Sequence, residues 1–118
     1  MIRLAAEDGT ILCVHRWPAE TAACAVLVIV HGMGEYGRRY APFASFMAER
    51  GVHVYAVDLR GHGETAASSG GRRGHFADAG GWAAVVRDVG LAVDHARRLH
   101  PDLPVFLFGH SMGSLIAR

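Results

Sequence analysis

The stretch Pro104-Val105-Phe106-Leu107-Phe108-Gly109-His110-Ser111-Met112-Gly113 decides how the rest of the chain is read. An apolar run leads into a G-x-S-x-G pattern, and Ser114-Leu115-Ile116-Ala117-Arg118 continues as a helix opening. That order predicts a strand, a sharp turn and a helix, with Ser111 at the turn. Such a turn strains the backbone and lifts the serine hydroxyl clear of the sheet edge. Gly109 and Gly113 suit it, because strand and helix pass too close for a side chain. The residue after the serine opens the helix, so the Met112 N–H is free to donate to a developing oxyanion. In a chain with 15 glycines the pattern can also arise by chance. The strand before it and the helix after it favour the functional reading.

Upstream, strands and helices alternate. Ile2 to Ala6 and Ile11 to Trp17 read as two short strands joined at Asp8-Gly9-Thr10, where the D-G pair signals a hairpin. Cys24 to Val30 is a continuous aliphatic run, the mark of a strand buried on both faces. It ends in a glycine-rich loop, His31-Gly32-Met33-Gly34-Glu35-Tyr36-Gly37. Between Arg39 and Arg50, Tyr40, Phe43, Phe46 and Met47 recur at helical spacing, and Gly51 suits the position just past a helix end. Val52 to Val57 reads as a second buried strand, closed by Asp58-Leu59-Arg60-Gly61-His62-Gly63.

Thr65 to Gly81 is polar and glycine-rich and reads as a long surface loop. Trp82 to His100 reads as a helix with Val85, Val86, Val89, Val93 and Leu99 on one face, stopped by Pro101. A hairpin followed by repeated strand–helix units calls for an α/β fold, a mostly parallel sheet with flanking helices. No linker divides residues 1–118. The helix after Ser111 shows no end signal before Arg118, so the sequence is expected to be the N-terminal portion of a longer domain.

Composition excludes several classes of function. Half the residues are apolar (51%) and 19% are charged, as in a globular chain. A formal net charge of +1 gives no electrostatic case for a nucleic-acid partner. Cys13 and Cys24 have neither CxxC nor zinc-ligand spacing and read as thiols in a reducing compartment. The N-terminus lacks the basic start and apolar core of a signal peptide. The apolar run from Ala22 to Val30 is too short to span a bilayer. A cytoplasmic protein with no membrane span is expected.

Three loops follow three strand ends, and active sites of open parallel sheets gather at that edge. The ordered set His31-Gly32-Met33-Gly34, Asp58-Leu59-Arg60-Gly61-His62-Gly63 and Gly109-His110-Ser111-Met112-Gly113 resembles the α/β-hydrolase superfamily. Within it, the chain is similar to the monoacylglycerol lipase and lysophospholipase branch, grouped with serine aminopeptidase-like hydrolases. The loop Ser69 to His75 and the helix carrying Arg87-Asp88 add to the likeness.

The resemblance implies that Ser111 is a nucleophile and that the backbone N–H groups of Met33 and Met112 form an oxyanion hole. His31, Gly32 and Gly34 would shape the loop that presents Met33. Asp58, Gly61, His62 and Gly63 would hold the loop after their strand, and His110 would fill the variable position of the serine turn without acting as base. The implied substrate is a small-molecule ester or single-chain lipid ester, with no cofactor and no metal. Where many members carry a serine after the second motif, this chain has Thr65. The family's catalytic acid, histidine and lid lie downstream of the nucleophile and are absent from residues 1–118. The 118-residue piece alone is therefore expected to be inactive, because serine is a weak nucleophile without a base.

Of the eight histidines, His15 and His53 fall in strands and His95 and His100 on a helix. His31, His62 and His75 lie on loops that could approach the serine. No pair has the H-x-x-x-H spacing of a helical zinc site.

Two other readings compete. Gly32-Met33-Gly34-Glu35-Tyr36-Gly37 is a literal G-x-G-x-x-G after a buried strand, and Asp58 closes the next strand, as in a Rossmann dinucleotide site. Against it, the loop runs on past Tyr36, whereas a Rossmann helix starts within the glycine motif. The chain could also be a non-catalytic binding module on a hydrolase fold. A relic has no reason to keep a strained serine turn, which weighs against this.

Overall fold

The computed structural model describes residues 1–118. Five strands form one mixed sheet, β1 (Ile2–Ala5), β2 (Ile11–Trp17), β3 (Ala25–Val30), β4 (Val52–Asp58) and β5 (Val105–Gly109). Their order across the sheet is β1-β2-β4-β3-β5. β1 and β2 make the hairpin, with Gly9 at φ +85° and the Thr10 N–H donating to Asp8 Oδ1 at 3.1 Å. β2 runs antiparallel to β4, and β3 runs parallel to both β4 and β5.

The period-2 alternation of β3 divides the core in two. Val26, Val28 and Val30 join Tyr55, Val57 and Val85 in a cluster under α3 (Gly81–Leu99) and α4 (Met112–Ile116). Leu27 and Ile29 join Val54, Ala56 and Ala44 in a smaller cluster under α1 (Ala41–Ala48). Both faces of β3 are thus covered, which accounts for its unbroken aliphatic sequence.

The helices depart from the sequence reading in detail. The segment expected as one helix from Arg39 is a 3₁₀ turn, Gly37–Tyr40, followed by α1 with Pro42 in its first turn. α1 buries Ala44 and Ala48, while Phe43 and Phe46 are largely exposed. On α3 the buried face is Ala84, Val85, Asp88, Val89, Ala92, Val93 and Ala96, and Val86 and Leu99 point outward. In both helices small residues let the helix approach the sheet closely, and the larger neighbours turn away. Gly51 adopts φ +85° after α1, as its position implied.

The expected loop from Thr65 to Gly81 is corrected in its first part. Gly63–Ser69 is a helix, α2, that buries Thr65 and Ala66 and ends at Gly70 with φ +63°. Its alanines and serines carry no apolar period, so hydrophobic patterning missed it.

From β3 the chain crosses through α1 to β4 on one side, then through α3 to β5 on the other side of β3. The direction of winding therefore reverses between β3 and β5. In open α/β sheets, the crevice at the carboxyl ends of such strands is where ligands bind.

Candidate functional site

Ser111 stands at that crevice. It is the one non-glycine residue with positive φ (φ 53°, ψ −121°), and it caps the N-terminus of α4 without using its side chain. A β-carbon rarely tolerates such a conformation, so the surroundings must enforce it. They do so by close packing. A β-carbon on Gly109 would lie 2.6 Å from the Gly113 carbonyl oxygen, and one on Gly113 would overlap the Val30 carbonyl oxygen. The His110 N–H donates to Val30 O at 3.1 Å, and the Ser114 hydroxyl and N–H both donate to Ser111 O at 2.5 and 2.9 Å. The backbone on both sides of Ser111 is held while its hydroxyl is left exposed. Met112 is the first residue of α4, so its N–H has no acceptor inside the helix.

The loop after β3 lies against this turn. A β-carbon on Gly32 would stand 3.1 Å from Ser111 Cβ and 3.2 Å from His110 O. Gly32 to Glu35 is a tight turn closed by Glu35 N–H to Gly32 O at 3.2 Å, with Gly34 at φ +72°. A turn with positive φ at its third position needs glycine there. Met33 is exposed at the turn's tip. His31, 1% exposed, controls the orientation of that tip. Its Nε2 receives the Leu59 N–H at 3.1 Å, so its Nδ1 carries the proton and donates to Gly32 O at 2.7 Å. Peptide planarity sets the Met33 N–H opposite the Gly32 carbonyl. Holding the carbonyl on one side thus aims the N–H to the other. Burial pushes the His31 pKa below the ordinary histidine value, which keeps this neutral tautomer in place.

Glu35 is a site residue that sequence reasoning passed over. Its Oε2 accepts from Gly32 N–H (2.7 Å) and Tyr40 O–H (2.9 Å) and lies 3.2 Å from His110 Nδ1. Its Oε1 is 3.3 Å from Arg39 Nε. Burial opposes its charge, but the bonds from Gly32, Tyr40 and His110 outweigh burial and hold its pKa at about 2. The same contact pushes the Tyr40 hydroxyl, already raised by burial, up to about 12. The tell-tale in sequence was a carboxylate three residues after a loop glycine, which can close the turn on itself.

Asp58 is 1% exposed and ties the second loop to the sheet. Its Oδ1 accepts from Gly37 N–H at 2.6 Å, and its Oδ2 from Glu64 N–H at 2.8 Å and His15 Nε2 at 2.9 Å. A β-carbon on Gly63, at φ +50°, would collide with that carboxylate. At Gly61 it would lie 2.6 Å from His75 O. Thr65 donates its hydroxyl to Asp58 O at 2.7 Å and accepts the Cys13 N–H at 2.8 Å. A serine would supply the same hydroxyl, so the family difference at this position costs no hydrogen bond.

The loop histidines do not engage Ser111. Both nitrogens of His31 serve backbone groups, and His62 Nδ1 donates to Arg60 O at 3.0 Å with Nε2 buried and unpaired. His75 pairs with Asp78 at 3.0 Å on the surface. His110 turns to Glu35. His15 is bound to Asp58, while His53 and His100 stack on each other at 4.0 Å. His95, on α3, leaves its Nε2 buried and unpaired. No three His, Cys, Asp or Glu side chains gather in a metal-binding geometry. No helix is long and apolar enough to cross a membrane.

Two observations weigh against the dinucleotide reading. The glycine loop opens onto a 3₁₀ turn, and α1 starts only at Ala41, so the helix that follows the glycine motif does not begin within it. Asp58, the residue a ribose would need, is buried and spends its carboxylate on Gly37 itself.

Comparison with known proteins agrees with this geometry. The family described as serine aminopeptidase, S33, matches residues 21–118. A monoacylglycerol lipase of Mycolicibacterium smegmatis is 39% identical over 97 residues, covering 82% of this chain and 32% of the lipase. Phospholipase YtpA of Bacillus subtilis is 40% identical over 101 residues, covering 86% of this chain and 35% of the phospholipase. A thermostable carboxyl esterase from Bacillus coagulans superposes with a TM-score of 0.90 at 33% identity, over 98% of this chain and 37% of the esterase. The chain spans about a third of the length of the curated relatives it matches. With the serine turn, the glycine loop and the sheet order on one side and these matches on the other, the chain belongs to the serine aminopeptidase S33 family of the α/β-hydrolase fold.

Proposed function

We propose that the full-length protein is a serine hydrolase of carboxylic esters that works through an acyl-enzyme on Ser111. One observation carries the reading, the strained and uncapped Ser111 at the sheet's topological switch point. In this reaction the Ser111 oxygen attacks the ester carbonyl carbon. The carbonyl π pair moves to oxygen, where the Met33 and Met112 N–H groups stabilise it. Collapse breaks the ester C–O bond, the leaving oxygen takes up the proton that the base removed from Ser111, and water then repeats the sequence to release the acid. The proton of Ser111 must go to a general base. No histidine of residues 1–118 hydrogen-bonds the Ser111 hydroxyl, and the imidazoles of His31, His75 and His110 are bonded elsewhere, so we place the base and its orienting acid in a segment outside these residues. Residues 1–118 then form the N-terminal portion of the domain.

The named relatives, a monoacylglycerol lipase and a phospholipase, support single-chain lipid esters such as monoacylglycerols or lysophospholipids as substrates. The test is fluorophosphonate labelling of the full-length protein with the adduct mapped by mass spectrometry. A Ser111 adduct, lost in Ser111→Ala together with hydrolysis of a monoacylglycerol, is the expected result. Hydrolysis that survives Ser111→Ala would overturn the assignment.

A further inference from the structure

We propose that Glu35 is a positioning residue that sets the distance between the nucleophile and the first oxyanion donor. The proposal rests on the reading of Ser111 and Met33 above. Glu35 Oε2 meets Gly32 N–H at 2.7 Å and His110 Nδ1 at 3.2 Å. Gly32 immediately precedes Met33, and His110 immediately precedes Ser111. One oxygen atom thus joins the residue before the oxyanion donor to the residue before the nucleophile, across 75 positions of chain. Backbone hydrogen bonding alone does not make this link. His110 N–H ties the serine turn to Val30, at the end of β3, and Glu35 N–H goes back to Gly32, so neither bond reaches from the serine turn to the turn that carries Met33.

The carboxylate is itself held. Tyr40 donates to the same oxygen from the end of the 3₁₀ turn, and Arg39 pairs with the other. Its side chain is 15% exposed, whereas that of His110 is 58% exposed. A mostly buried anion gripping a solvent-facing histidine has little value as a fold stabiliser, because exposed pairs contribute little. Its value lies in geometry. Oxyanion donors act only when aimed at the position that the charge will occupy, and a misplacement of about 1 Å costs about 100-fold in rate. Glu35 makes no bond to Ser111 or to Met33, so it acts through its neighbours.

The test uses the full-length protein and a short-chain p-nitrophenyl ester, with Glu35→Ala, Glu35→Gln, His110→Ala and the Glu35→Ala/His110→Ala double variant. Glu35→Ala is expected to lower kcat about 100-fold with KM within about twofold, as for a group felt only in the transition state. Glu35→Gln keeps an acceptor for Gly32 N–H, and it should recover part of the loss. His110→Ala alone should lower kcat by several-fold, and the double variant should be no worse than Glu35→Ala, because coupled residues are non-additive. Raised KM with kcat intact would make Glu35 a substrate contact and overturn the proposal. Additive losses would overturn the link through His110. Should Glu35→Ala not fold, Glu35→Gln and His110→Ala with their own double variant carry the same test. Fluorophosphonate labelling of the wild type separates the two levels. No Ser111 adduct means that the serine reading has failed, whereas an adduct formed equally fast in Glu35→Ala means that only the positioning role has failed.

Discussion

Gly113 lies so close to Val30 that a β-carbon on it would overlap the Val30 carbonyl oxygen. That oxygen is already the acceptor for His110 N–H. The end of β3, where the glycine loop begins, therefore abuts the start of α4, into which the serine turn leads. Gly113→Ala should push α4 away from β3, destabilise the fold by about 1–3 kcal/mol and slow the labelling of Ser111. Denaturant titration and a labelling time course measure both, and an alanine variant equal to wild type in both would refute the contact's importance.

Ser111 itself is predicted to be a site of stored strain. Replacing it with glycine removes the β-carbon penalty at φ 53°, ψ −121°. Ser111→Gly should abolish labelling while raising stability by about 1 kcal/mol, the lower end of the cost of such a backbone. A variant less stable than wild type would mean that the turn is relaxed.

Asp58 concentrates three donors on one buried carboxylate. Asp58→Ala leaves Gly37 N–H, Glu64 N–H and the His15 ring without their acceptor. The expected loss is about 3–5 kcal/mol, as for removing one partner of a buried polar cluster. The midpoint of urea unfolding reads this directly. A loss below about 1 kcal/mol would place the three donors in contact with water instead.

Acid should loosen the histidine stack. His53 and His100 pack with ring centroids 4.0 Å apart, the Ala19 N–H donates to His53 Nδ1, and Tyr55 O–H meets His100 Nε2 at 2.7 Å. Burial first, then the Arg16 charge, lowers the pKa of His53; burial, then His53 and Arg16, lowers that of His100. Both fold as neutral rings, so the unfolded chain binds more protons than the folded one below about pH 6.5. Their contribution is complete above that pH and is lost as the pH falls from there through their lower folded-state values. Unfolding midpoints measured across this range should drop towards acid, and His100→Phe should flatten the slope. An identical slope in His100→Phe would assign the pH dependence elsewhere.

Much of this site was legible in the sequence because its pieces are local. Gly109 to Gly113 carries its own turn, and His31 to Gly34 its own loop, within five residues each. Their order along the chain already implied a shared sheet edge. The link from Glu35 to the serine turn was hidden for the opposite reason, since His110 lies 75 positions along the chain from it. The strand order was hidden likewise, because nothing in Val52 to Asp58 says that it slips between β2 and β3. Patterning also failed where small residues do the packing. Ala44 and Ala48 lie against the sheet while Phe43 and Phe46 look outward, and the alanines of α2 concealed a helix.

The pairing of β5 with β3 has a kinetic side. β3 borders β4 soon after both are made, but its other edge waits for a strand near the far end of the sequence. Closing so long a loop is entropically slow compared with forming the hairpin or α1. The contorted serine backbone depends on Val30 and cannot exist before that late docking. Chains caught before it would hold a formed sheet centre, an open strand edge and a relaxed, unreactive serine. If Ser111 is the nucleophile proposed above, its labelling should appear only after β5 docks on β3, so during refolding it should trail the recovery of secondary structure.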